Sequence, residues 1–572
     1  MSAPRRRSGP PDLAPYLAFA AVGLLTFASL VVWIACAAAQ AIGHKARPPA
    51  NFAGYFVEII TGQRAWPGPI ATQVLVVEIL AVVAVAVLSR NAVFGLRKGR
   101  TRVDVAARHL AKKKDLVHLS TKGASATAAR LGAKTSAPGV LVGEVIGTGK
   151  PLWGPWEDLH VDIWGTRAGK TTSRAIPAII PAPGAVLVTS NKRDIVDATR
   201  LPREKAGPVW VFDPQDVANE DPDWWWNPLS YVVDVDHAAR LATVFSAYSR
   251  DPQAKSDAYF DTEGELLLAF LLLAAAEGGL PITQVYRWLS DPTDDQAVGI
   301  LRAAGHELPA EHVQGVVNYP DKQRGGVFAT ARKSVGCLIN PAVTRWVTPG
   351  AGREFSPEKF VRSSGTLYSL SREGQGTAGP LVTALTIAVI EAAEAKATAS
   401  PGGRLAVPLV GVLDEAANVC RWKSLPDLYS HYGSRGIVLL TILQSWAQGV
   451  EVWGEHGMAK LWSSANIRVY GGGAADPRFL SDLTQLIGDY EPISYSTTVQ
   501  TGRGHHSHSV SSSTRPEKIL DVADLFSLPR GRAIVLPSGA PPVLIKTLPW
   551  QSSPYAPTVR ESLAKYAPEG NE

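Results

Sequence analysis

Apolar positions along this chain fall into two kinds of run. Before residue 90 they form two long stretches, and from Gly139 onward they form short runs bounded by Pro or Gly and separated by longer mixed segments. Continuous short apolar runs are typical of parallel strands that are buried on both faces. Because these runs alternate with helical segments, the pattern predicts a doubly wound α/β sheet. The predicted strands are 159–164, 185–190, 208–214, 407–415, 436–445, 466–473 and 531–537.

Between the third and fourth predicted strands lies a long segment of helical character, residues 232–350. Its run DTEGELLLAFLLLAAAEGG is strongly apolar and stops at a glycine pair, and the neighbouring stretches ITQVYRWL and DDQAVGILRAAG also have helical patterns. Apolar runs of this length are longer than ordinary strands and favour helices. We therefore predict an all-α domain inserted into the sheet domain.

The two N-terminal runs are long enough to cross a membrane as helices. Residues 17–39 carry no charge, and residues 70–88 carry only Glu78. A helix of about 20 residues spans the roughly 30 Å hydrocarbon core of a bilayer, and the first run is too long for the apolar part of a cleaved signal peptide. We predict two transmembrane helices. Glu78 fits either a polar contact between helices or a position near the interface, and we assign it no role.

Basic residues predict the orientation of these helices. Arginines 5–7 precede the first helix and a basic run from Arg90 to Arg102 follows the second, whereas the short loop between them is poorer in Lys and Arg. Since cytoplasmic flanks carry the excess of basic residues, both chain ends are predicted to be cytoplasmic, in a multi-pass protein of the cell membrane. The predicted boundaries are a cytoplasmic N-terminus 1–16, transmembrane helices 17–39 and 70–88 with an extracytoplasmic loop 40–69, a basic linker 89–138, a nucleotide-binding domain in two parts 139–231 and 351–550 around the all-α domain 232–350, and a C-terminal tail 551–572.

Composition narrows this picture only slightly. The 572 residues are too many for one core, so several domains are expected. A net charge of +6 fits a nucleic-acid or anionic-membrane partner without requiring one. The three cysteines lie far apart and form no CxxC pair, which argues against a disulfide framework or a zinc site and favours a reducing compartment.

Residues 163–173 read IWGTRAGKTTS and contain the end of a phosphate-binding loop. The full spacing, G-x-x-x-x-G-K-[ST], calls for glycine where Trp164 stands, although Gly165 follows directly. In such a loop backbone N–H groups cradle phosphate, the lysine reaches the β and γ phosphates, and the next hydroxyl ligates Mg²⁺. We predict ATP and Mg²⁺ as cofactors, with Thr171 as a metal ligand. The predicted nucleotide-binding residues are Gly165, Thr166, Arg167, Ala168, Gly169, Lys170, Thr171 and Thr172.

A chance G-K-T in a turn is the alternative interpretation, and Gly149-Lys150 shows how easily half-motifs arise. The surroundings favour a functional loop, because an apolar strand leads into it and a helix candidate, TTSRAIPAII, leads out of it. Pro177 must kink or end that helix.

An apolar strand ending in Asp414 and Glu415 supplies the expected partner motif. Carboxylates there lie at the carboxyl edge of the sheet, where ligands bind in this architecture. We predict that Asp414 holds Mg²⁺ through water and that Glu415 polarises the attacking water. Gln444, at the end of the next strand, is predicted to sense the γ-phosphate. The alternative for Asp414 and Glu415 is a carboxylate pair that caps the next helix, and the alternative for Gln444 is a solvated strand end.

The stretch LDEAANVCRWKSLPDLYSHYGSRGIVLLTILQSWAQGVEVWG resembles the type IV secretion coupling proteins, the TraG/TraD-like ATPases of bacterial conjugation. In that family the aspartate–glutamate pair is followed by leucine-proline, G-R-S-R-G, a strand ending in L-Q-S, and G-G-x-x-D-P. Upstream, VWVFDPQ and WWWNPLSY resemble the family's V-F-D-P and F-N-P-L motifs. The corresponding segments here are Leu425-Pro426, 433–436, 443–445, Gly472-Gly473 and Asp476-Pro477.

This resemblance implies a RecA-like P-loop NTPase domain with an inserted all-α domain, anchored by two membrane helices and assembled as a homo-hexamer. It implies a motor that couples ATP hydrolysis to the transfer of DNA with its bound relaxase towards the type IV secretion channel. The implied partners are DNA, relaxase and relaxosome proteins, channel components and the membrane. Where the family's first Arg of G-R-S-R-G stands, this chain has Gly433. If that Arg is the family's catalytic finger towards a neighbouring subunit, either Arg435 takes its place or the finger lies elsewhere in the chain.

Three other functions stay open at this point. An FtsK-type motor for duplex DNA would be expected to carry a winged-helix domain, for which the segment after residue 550 leaves no room. A docking scaffold that does not hydrolyse ATP is disfavoured by Lys170, Thr171, Asp414 and Glu415. A secretion ATPase that moves only protein is not distinguished by sequence.

Two further segments have plain structural interpretations. His505, His506 and His508 could bind a metal, but the Gly and Ser around them favour a mobile loop. The run WWWNP at 224–228 could stack nucleobases, but its place after a strand favours packing against the sheet.

Overall fold

The computed structural model describes residues 14–43, 48–97, 101–249, 257–350, 352–374, 377–502 and 505–568; the side chains of residues 14–22, 24–25, 85–97, 493–502 and 505–513 lie outside this description. The chain divides into two compact units, Met1–Arg100 and Thr101–Glu572.

The smaller unit is helical. Its helices are α1 (Ala14–Ile42), α2 (Phe52–Ile60) and α3 (Pro69–Arg97). The predicted membrane segments lie within α1 and α3, and part of each falls outside the described side chains. In the part of the chain that is described, no helix combines the length and the apolar character needed to cross a membrane.

The larger unit contains one large mixed sheet and smaller two-stranded sheets. Its strands are β1 (Gly139–Val145), β2 (Pro151–Pro155), β3 (His160–Ile163), β4 (Val186–Ser190), β5 (Val209–Phe212), β6 (Trp224–Trp225), β7 (Arg353–Glu354), β8 (Thr366–Leu370), β9 (Leu409–Leu413), β10 (Ile437–Leu443), β11 (Ile467–Tyr470), β12 (Asp489–Tyr490), β13 (Ile493–Gly502), β14 (His505–Thr514), β15 (Glu517–Lys518), β16 (Arg532–Pro537) and β17 (Val543–Lys546).

Helices of the larger unit lie on both faces of this sheet and in the segment between β6 and β7. They are α4 (Arg102–Ala106), α5 (Thr121–Arg130), α6 (Ile176–Ile179), α7 (Asp194–Glu204), α8 (Val235–Ser249), α9 (Ala258–Glu277), α10 (Thr283–Ser290), α11 (Gln296–Ala303), α12 (Glu307–Val317), α13 (Asp321–Ser334), α14 (Pro341–Thr344), α15 (Pro357–Phe360), α16 (Gly379–Thr398), α17 (Ala416–Val419), α18 (Leu425–Arg435), α19 (Trp446–Ser464), α20 (Pro477–Ile487), α21 (Val522–Phe526) and α22 (Ala556–Tyr566).

Among the described residues, eleven strands form one sheet in the order β2-β1-β17-β16-β11-β3-β10-β9-β4-β8-β5. Neighbours from β11 to β5 in this order are parallel, and β16, β17, β1 and β2 extend one side antiparallel. All the predicted strands are present. The strands β3, β9 and β10 are adjacent, so the loops that follow them meet at one edge of the sheet.

The two faces of the sheet pack into separate apolar clusters. Leu187 of β4 belongs to the cluster that also contains the helices α8 and α9, whereas its neighbours Val186 and Val188 belong to the cluster on the other face. Successive side chains of a strand point to opposite faces, so a strand covered on both sides is apolar throughout. This explains why most of the predicted strands have no polar alternation, β3 being an exception with buried His160 and Asp162.

The predicted helical segment is helical in the structure. Helices α8 to α14 lie between β6 and β7, and Asp257 caps α9 by accepting hydrogen bonds from the Tyr259 and Phe260 backbone N–H groups. Residues 267–275 of α9 are all buried, because neighbouring helices of the same segment surround it. The domain boundaries themselves remain predictions.

Three segments differ from the sequence interpretation. Part of the predicted linker 89–138 forms α4 and α5, and part of the predicted tail 551–572 forms α22, which packs on α7 through the Ser562 hydroxyl on the Asp197 carbonyl at 2.5 Å. The histidine-bearing segment forms the antiparallel pair β13 and β14 rather than a loop. The sequence did not predict these elements, because they are rich in small and polar residues and so show no periodic pattern of apolar positions. The prediction for WWWNP holds, since Trp224 and Trp226 are buried in the core.

A buried arginine holds the start of β4 against β8. Arg203 of α7 is fully buried and donates to the Thr366 hydroxyl at 2.7 Å and to the carbonyls of Ala182, Gly184 and Ser364 at 2.8 to 3.0 Å. Burial lowers the pKa of its guanidinium. All three guanidinium nitrogens of Arg203 donate hydrogen bonds to these groups, which offsets the cost of burying the charge.

We expect Arg203→Met to destabilise the larger unit by about 3 kcal/mol or more, because two buried carbonyl groups and one half-buried carbonyl group lose their donor. The midpoint of denaturant unfolding measures this change. Arg560→Met, at an exposed position of α22, serves as the control and is expected to leave the midpoint unchanged. Equal midpoints for the two variants would contradict the assigned role of Arg203.

Candidate nucleotide-binding site

The predicted phosphate-binding loop connects β3 to a helical turn. The Trp164 backbone N–H donates to the Leu443 carbonyl at 2.9 Å and the Gly165 N–H donates to the Gly472 carbonyl at 2.8 Å, so the loop is tied to the ends of β10 and β11. Arg167 and Gly169 have positive φ angles of 58° and 91°. The reversal of chain direction therefore occurs at these two residues.

Gly165 is required by a close approach of two backbones. A Cβ atom there would overlap the Gly473 carbonyl, while its φ angle is not in the left-handed region. Gly165 is therefore glycine because two loops touch at this position.

Trp164 replaces the first glycine of the motif without entering the loop. It is buried, and its indole lies where a Cβ on Gly471 would be. Its Nε1–H donates to the Asp162 carboxylate at 3.4 Å. The indole thus belongs to the core below the loop, and Gly471 supplies the space that it occupies.

We expect Gly165→Ala to cost about 1–3 kcal/mol of stability, as overpacking does elsewhere, and to weaken nucleotide binding. The added methyl must push the loop away from Gly473. Thermal unfolding and titration with a fluorescent ATP analogue measure the two effects. Gly315→Ala, in an open position on α12, is the control; unchanged nucleotide binding in Gly165→Ala would contradict the close approach.

The helical turn after the loop has an unusual hydrogen-bond pattern. Residues 171–175 form a π turn, in which the Ile176 N–H donates to the Thr171 carbonyl, before α6 begins. Pro177 has no N–H to donate, and the helix ends at Ile179, two residues later. Lys170 stands at the N-terminus of this turn, where no side chain caps the backbone N–H groups. The prediction that Pro177 shortens the helix is confirmed.

Lys170 lies between the two predicted carboxylates. Its Nζ donates to Asp414 Oδ1 at 3.0 Å and to Glu415 Oε1. The Lys170 side chain is 12% exposed, and those of Asp414 and Glu415 are 5% and 1% exposed. Burial acts against the charged amine, but the two carboxylates outweigh it and raise the pKa of Lys170. The structure therefore brings together residues that are 244 and 245 positions apart.

Glu415 is held in a strained backbone conformation. Its φ and ψ angles are 55° and 42°, in the left-handed region that side chains other than glycine rarely adopt. Such strain costs about 1–3 kcal/mol and persists where surrounding contacts impose it. Gln444 Nε2 donates to Glu415 Oε1 at 2.6 Å, and Asn418 Nδ2 donates to its Oε2 at 3.4 Å. The conformation aims the Glu415 carboxylate at both Lys170 and Gln444.

A third carboxylate adds to the negative field. Burial raises the pKa of Asp414 to about 6, against the effect of Lys170, and the charges of Glu415 and Asp194 contribute to the same direction. Asp194 begins α7, and burial raises the pKa of its carboxyl group as well. Among the described residues, no group of Asp, Glu, His and Cys side chains is arranged to hold a metal ion by itself.

Sequence reasoning missed a polar ring around these carboxylates. Asn191 follows β4 and Glu373 follows β8, and both Asn191 and Asn418 donate amide hydrogens to the Glu373 carboxylate, the latter at 2.9 Å. These residues also lie after strands that end at the same edge. Only the position after a strand could have pointed to Asn191. Glu373 could not be found this way, because β8 carries buried Thr366 and Ser369 and has no continuous apolar run.

A buried ion pair lies directly beneath the loop. Arg174 donates through Nε to Asp162 Oδ2 at 2.6 Å and through Nη1 to the Leu141 carbonyl at 3.0 Å, and its Nη2 lies 2.6 Å from His160 Nδ1. Asp162 lies on the strand before the loop and Arg174 lies in the helical turn after it, and both are buried. Burial lowers the pKa of His160, which keeps the imidazole neutral beside the guanidinium.

Arg435 does not join this group within one chain. It ends α18, before β10 begins, whereas Gln444 follows the other end of the same strand. Its Nη1 donates to the Gly403 carbonyl at 3.2 Å. Gly433 packs so closely on the Glu157 carbonyl that a Cβ atom would overlap it, which gives a steric reason for glycine where the resembling family has arginine. The role of Arg435 as a finger towards a neighbouring subunit remains a prediction.

Comparison with known proteins covers both sequence and fold. Residues 408–530 match a family model described as the TraM recognition site of TraD and TraG. No curated protein sequence matches the chain.

Three solved structures share the fold. The bacterial conjugative coupling protein TrwBdeltaN70, in an unbound monoclinic form, is 19% identical with a TM-score of 0.52, and the match covers 71% of this chain and 88% of that chain. The plasmid coupling protein TrwB in complex with ADP and Mg²⁺ is 17% identical with a TM-score of 0.51, covering 71% and 89%. TrwB in complex with a non-hydrolysable ATP analogue is 18% identical with a TM-score of 0.51, covering 71% and 89%.

These findings confirm the resemblance predicted from the sequence. The family model covers the segment that carries the Asp414-Glu415 and Gln444 motifs, and the solved structures show that this chain shares the fold of the coupling protein TrwB. In the comparison structures this fold holds ADP with Mg²⁺ and an ATP analogue.

Proposed function

We propose that this chain is a coupling ATPase of conjugation, which uses ATP hydrolysis to move DNA with its bound relaxase towards a type IV secretion channel. One observation carries the proposal. Lys170, Asp414, Glu415 and Gln444 come from three separate segments and meet at the carboxyl edge of β3, β9 and β10. Neither a chance G-K-T turn nor a carboxylate pair that only caps a helix would place these four side chains in contact.

The residues at this edge fit ATP and Mg²⁺. Lys170 is a buried cation whose two partners are carboxylates, groups that carry the same sign of charge as a phosphate oxygen. The uncapped N-terminus of the turn at Thr171 offers backbone N–H groups to an anion. Thr171 and Asp414 offer the oxygen ligands that Mg²⁺ prefers. When bound, ATP supplies the phosphoanhydride bond that is cleaved, and Mg²⁺ neutralises its negative charge.

Each protein group then has a defined task. With ATP bound, Lys170 would donate to phosphate oxygens instead of the carboxylates, which would release Glu415 from its salt bridge. Glu415 would then take a proton from water as the water oxygen bonds to the γ-phosphorus and the bond to ADP breaks, acting as a general base. Gln444 donates to the same Glu415 oxygen, so it orients the carboxylate and is placed to respond when the Lys170 contact breaks. We propose Thr166, Arg167, Ala168, Gly169 and Thr172 as the remaining residues around the phosphates.

We further propose that α1 and α3 anchor the chain in the cytoplasmic membrane and that six copies assemble. The uncharged run 17–39 and the basic flanks of both segments support the anchor and its orientation. The family model that matches residues 408–530 is named for a TraM recognition site, which supports a relaxosome protein as a partner of that segment. A hexamer is also what would bring Arg435 of one copy towards the nucleotide of the next.

The function is tested by ATP hydrolysis of the full chain, with and without single-stranded or double-stranded DNA. Lys170→Ala serves as the blank. We expect turnover that DNA stimulates, with single strands favouring a conjugative motor and duplex favouring an FtsK-type one. Nucleotide binding without turnover in an assembled preparation would overturn the motor and favour a scaffold.

A further inference from the structure

A groove with a basic rim opens near the start of the larger unit, away from the nucleotide-binding edge. Its volume is about 950 Å³. Leu116 and Leu152 are buried at its base, and Val117 is 60% exposed within it. We call it the basic groove. Its rim carries Arg108, Lys112, Lys113, Lys114, Lys122 and Lys150.

The walls of the basic groove are tied to the edge of the sheet. The Ala111 N–H donates to the Pro542 carbonyl at 2.9 Å, and the Ile146 N–H donates to the Leu544 carbonyl at 3.0 Å. On the other side the Trp153 N–H donates to the Leu119 carbonyl at 2.9 Å. Backbone bonds on both sides fix the spacing of the walls. The groove is therefore formed before any ligand arrives, which lowers the entropic cost of binding.

The lining selects the chemistry of the ligand. None of the described lining residues is acidic, so every charged side chain among them is positive. The apolar lining is aliphatic, with no Phe, Tyr or Trp among its described residues. Nucleic-acid sites without sequence preference rely on aromatic side chains on which bases stack. An aliphatic floor under a cationic rim instead matches an acyl chain that carries an anionic headgroup.

We propose that the basic groove binds an anionic phospholipid of the membrane, with the acyl chain on the aliphatic floor and the headgroup phosphate among the rim lysines. Ala107, the first lining residue, lies 19 positions after Leu88, where the second predicted membrane segment ends. Basic clusters that closely follow a membrane helix on its cytoplasmic side recognise anionic lipids. The inference rests on the proposed membrane anchor and adds a lipid-binding site to it.

The test places a fluorescent reporter inside the groove of the full chain. Val117→Cys is labelled with bimane; Cys36, Cys337 and Cys420 are buried and compete poorly for the label. The protein is reconstituted into phosphatidylcholine vesicles of two kinds. One contains phosphatidylglycerol with brominated acyl chains, and the other contains phosphatidylcholine with brominated acyl chains. Bromine quenches bimane only on close approach. We expect quenching by the brominated phosphatidylglycerol and little by the brominated phosphatidylcholine.

Two matched variants separate the site from bulk charge. Lys113→Glu with Lys122→Glu reverses two rim charges, and Lys205→Glu with Lys322→Glu makes the same change of net charge at exposed positions elsewhere. Half-maximal quenching of the rim variant is expected to require a phosphatidylglycerol fraction about tenfold higher or more. The control pair should leave it unchanged. Bimane on Leu308→Cys, 78% exposed on α12, should not be quenched.

Three results would overturn the lipid site. They are equal quenching by the two brominated lipids, equal responses of the two charge variants, and a bimane response to a single-stranded oligonucleotide in the absence of lipid, which would assign the groove to nucleic acid. ATP hydrolysis is measured in the same vesicles. DNA-stimulated hydrolysis without selective quenching refutes the lipid site alone, whereas selective quenching without hydrolysis refutes the motor function and leaves the lipid site standing.

Discussion

Lys170→Ala is expected to reduce ATP hydrolysis at least ~100-fold, the range observed when a single charge-stabilising donor is removed from an active site. Lys170 is the cation that Asp414 and Glu415 share. Without it the γ-phosphate loses a positive partner, and two buried carboxylates repel the nucleotide. Turnover is measured by phosphate release at saturating ATP and Mg²⁺, and nucleotide affinity is measured separately.

The same variant should remain folded. Asp414 has a pKa near 6 even beside Lys170, so after the substitution it can take up a proton instead of staying charged in the core. Lys322→Ala, at an exposed position of α13, is the control and should hydrolyse ATP normally. Normal ATP turnover in Lys170→Ala would show that the phosphate-binding loop takes no part in hydrolysis.

Glu415→Gln is expected to lower turnover by about 100- to 10,000-fold, the contribution of a general base, while ATP still binds. The amide cannot accept the proton of water, yet its oxygen can still accept the hydrogen bond from Gln444. Removing this charge also frees Lys170 from its closest partner, so ATP should bind as tightly as in the unmodified chain or more tightly. Single-turnover hydrolysis and equilibrium binding of ATP measure the two quantities.

The contrast between the two variants identifies the roles. Lys170→Ala should impair both binding and turnover, whereas Glu415→Gln should impair turnover alone. Glu561→Gln, exposed on α22, controls for the loss of one negative charge. Weak ATP binding in Glu415→Gln would indicate that Glu415 organises the loop and would argue against a general base.

Much of the site could be predicted because its residues stand at recognisable places in the chain. Lys170 and Thr171 follow a strand in a known spacing, and Asp414, Glu415 and Gln444 each come directly after a continuous apolar run. The local order of residues carries that information. The apolar runs of β9 and β10 likewise indicate that both faces of each strand are covered.

Other features had no local record. The strand β8 carries buried hydroxyl groups, so nothing in its sequence shows that it lies between β4 and β5 or that it delivers Glu373 to the site. Trp164 reads as a defect of the motif until Gly471 is seen to make room for it. Helix α22 is too polar to predict without α7 beside it.

The sequence by itself determined the strands of the parallel part of the sheet other than β8, the helical insertion and the identity of the chemical groups, because each depends on neighbours within a few positions. Only the tertiary structure decided which groups meet. Gly165 is glycine because of Gly473, and Lys170 is paired with carboxylates 244 and 245 positions away. The physical reason is that the order of strands in a parallel sheet follows from long-range packing, which no local period encodes.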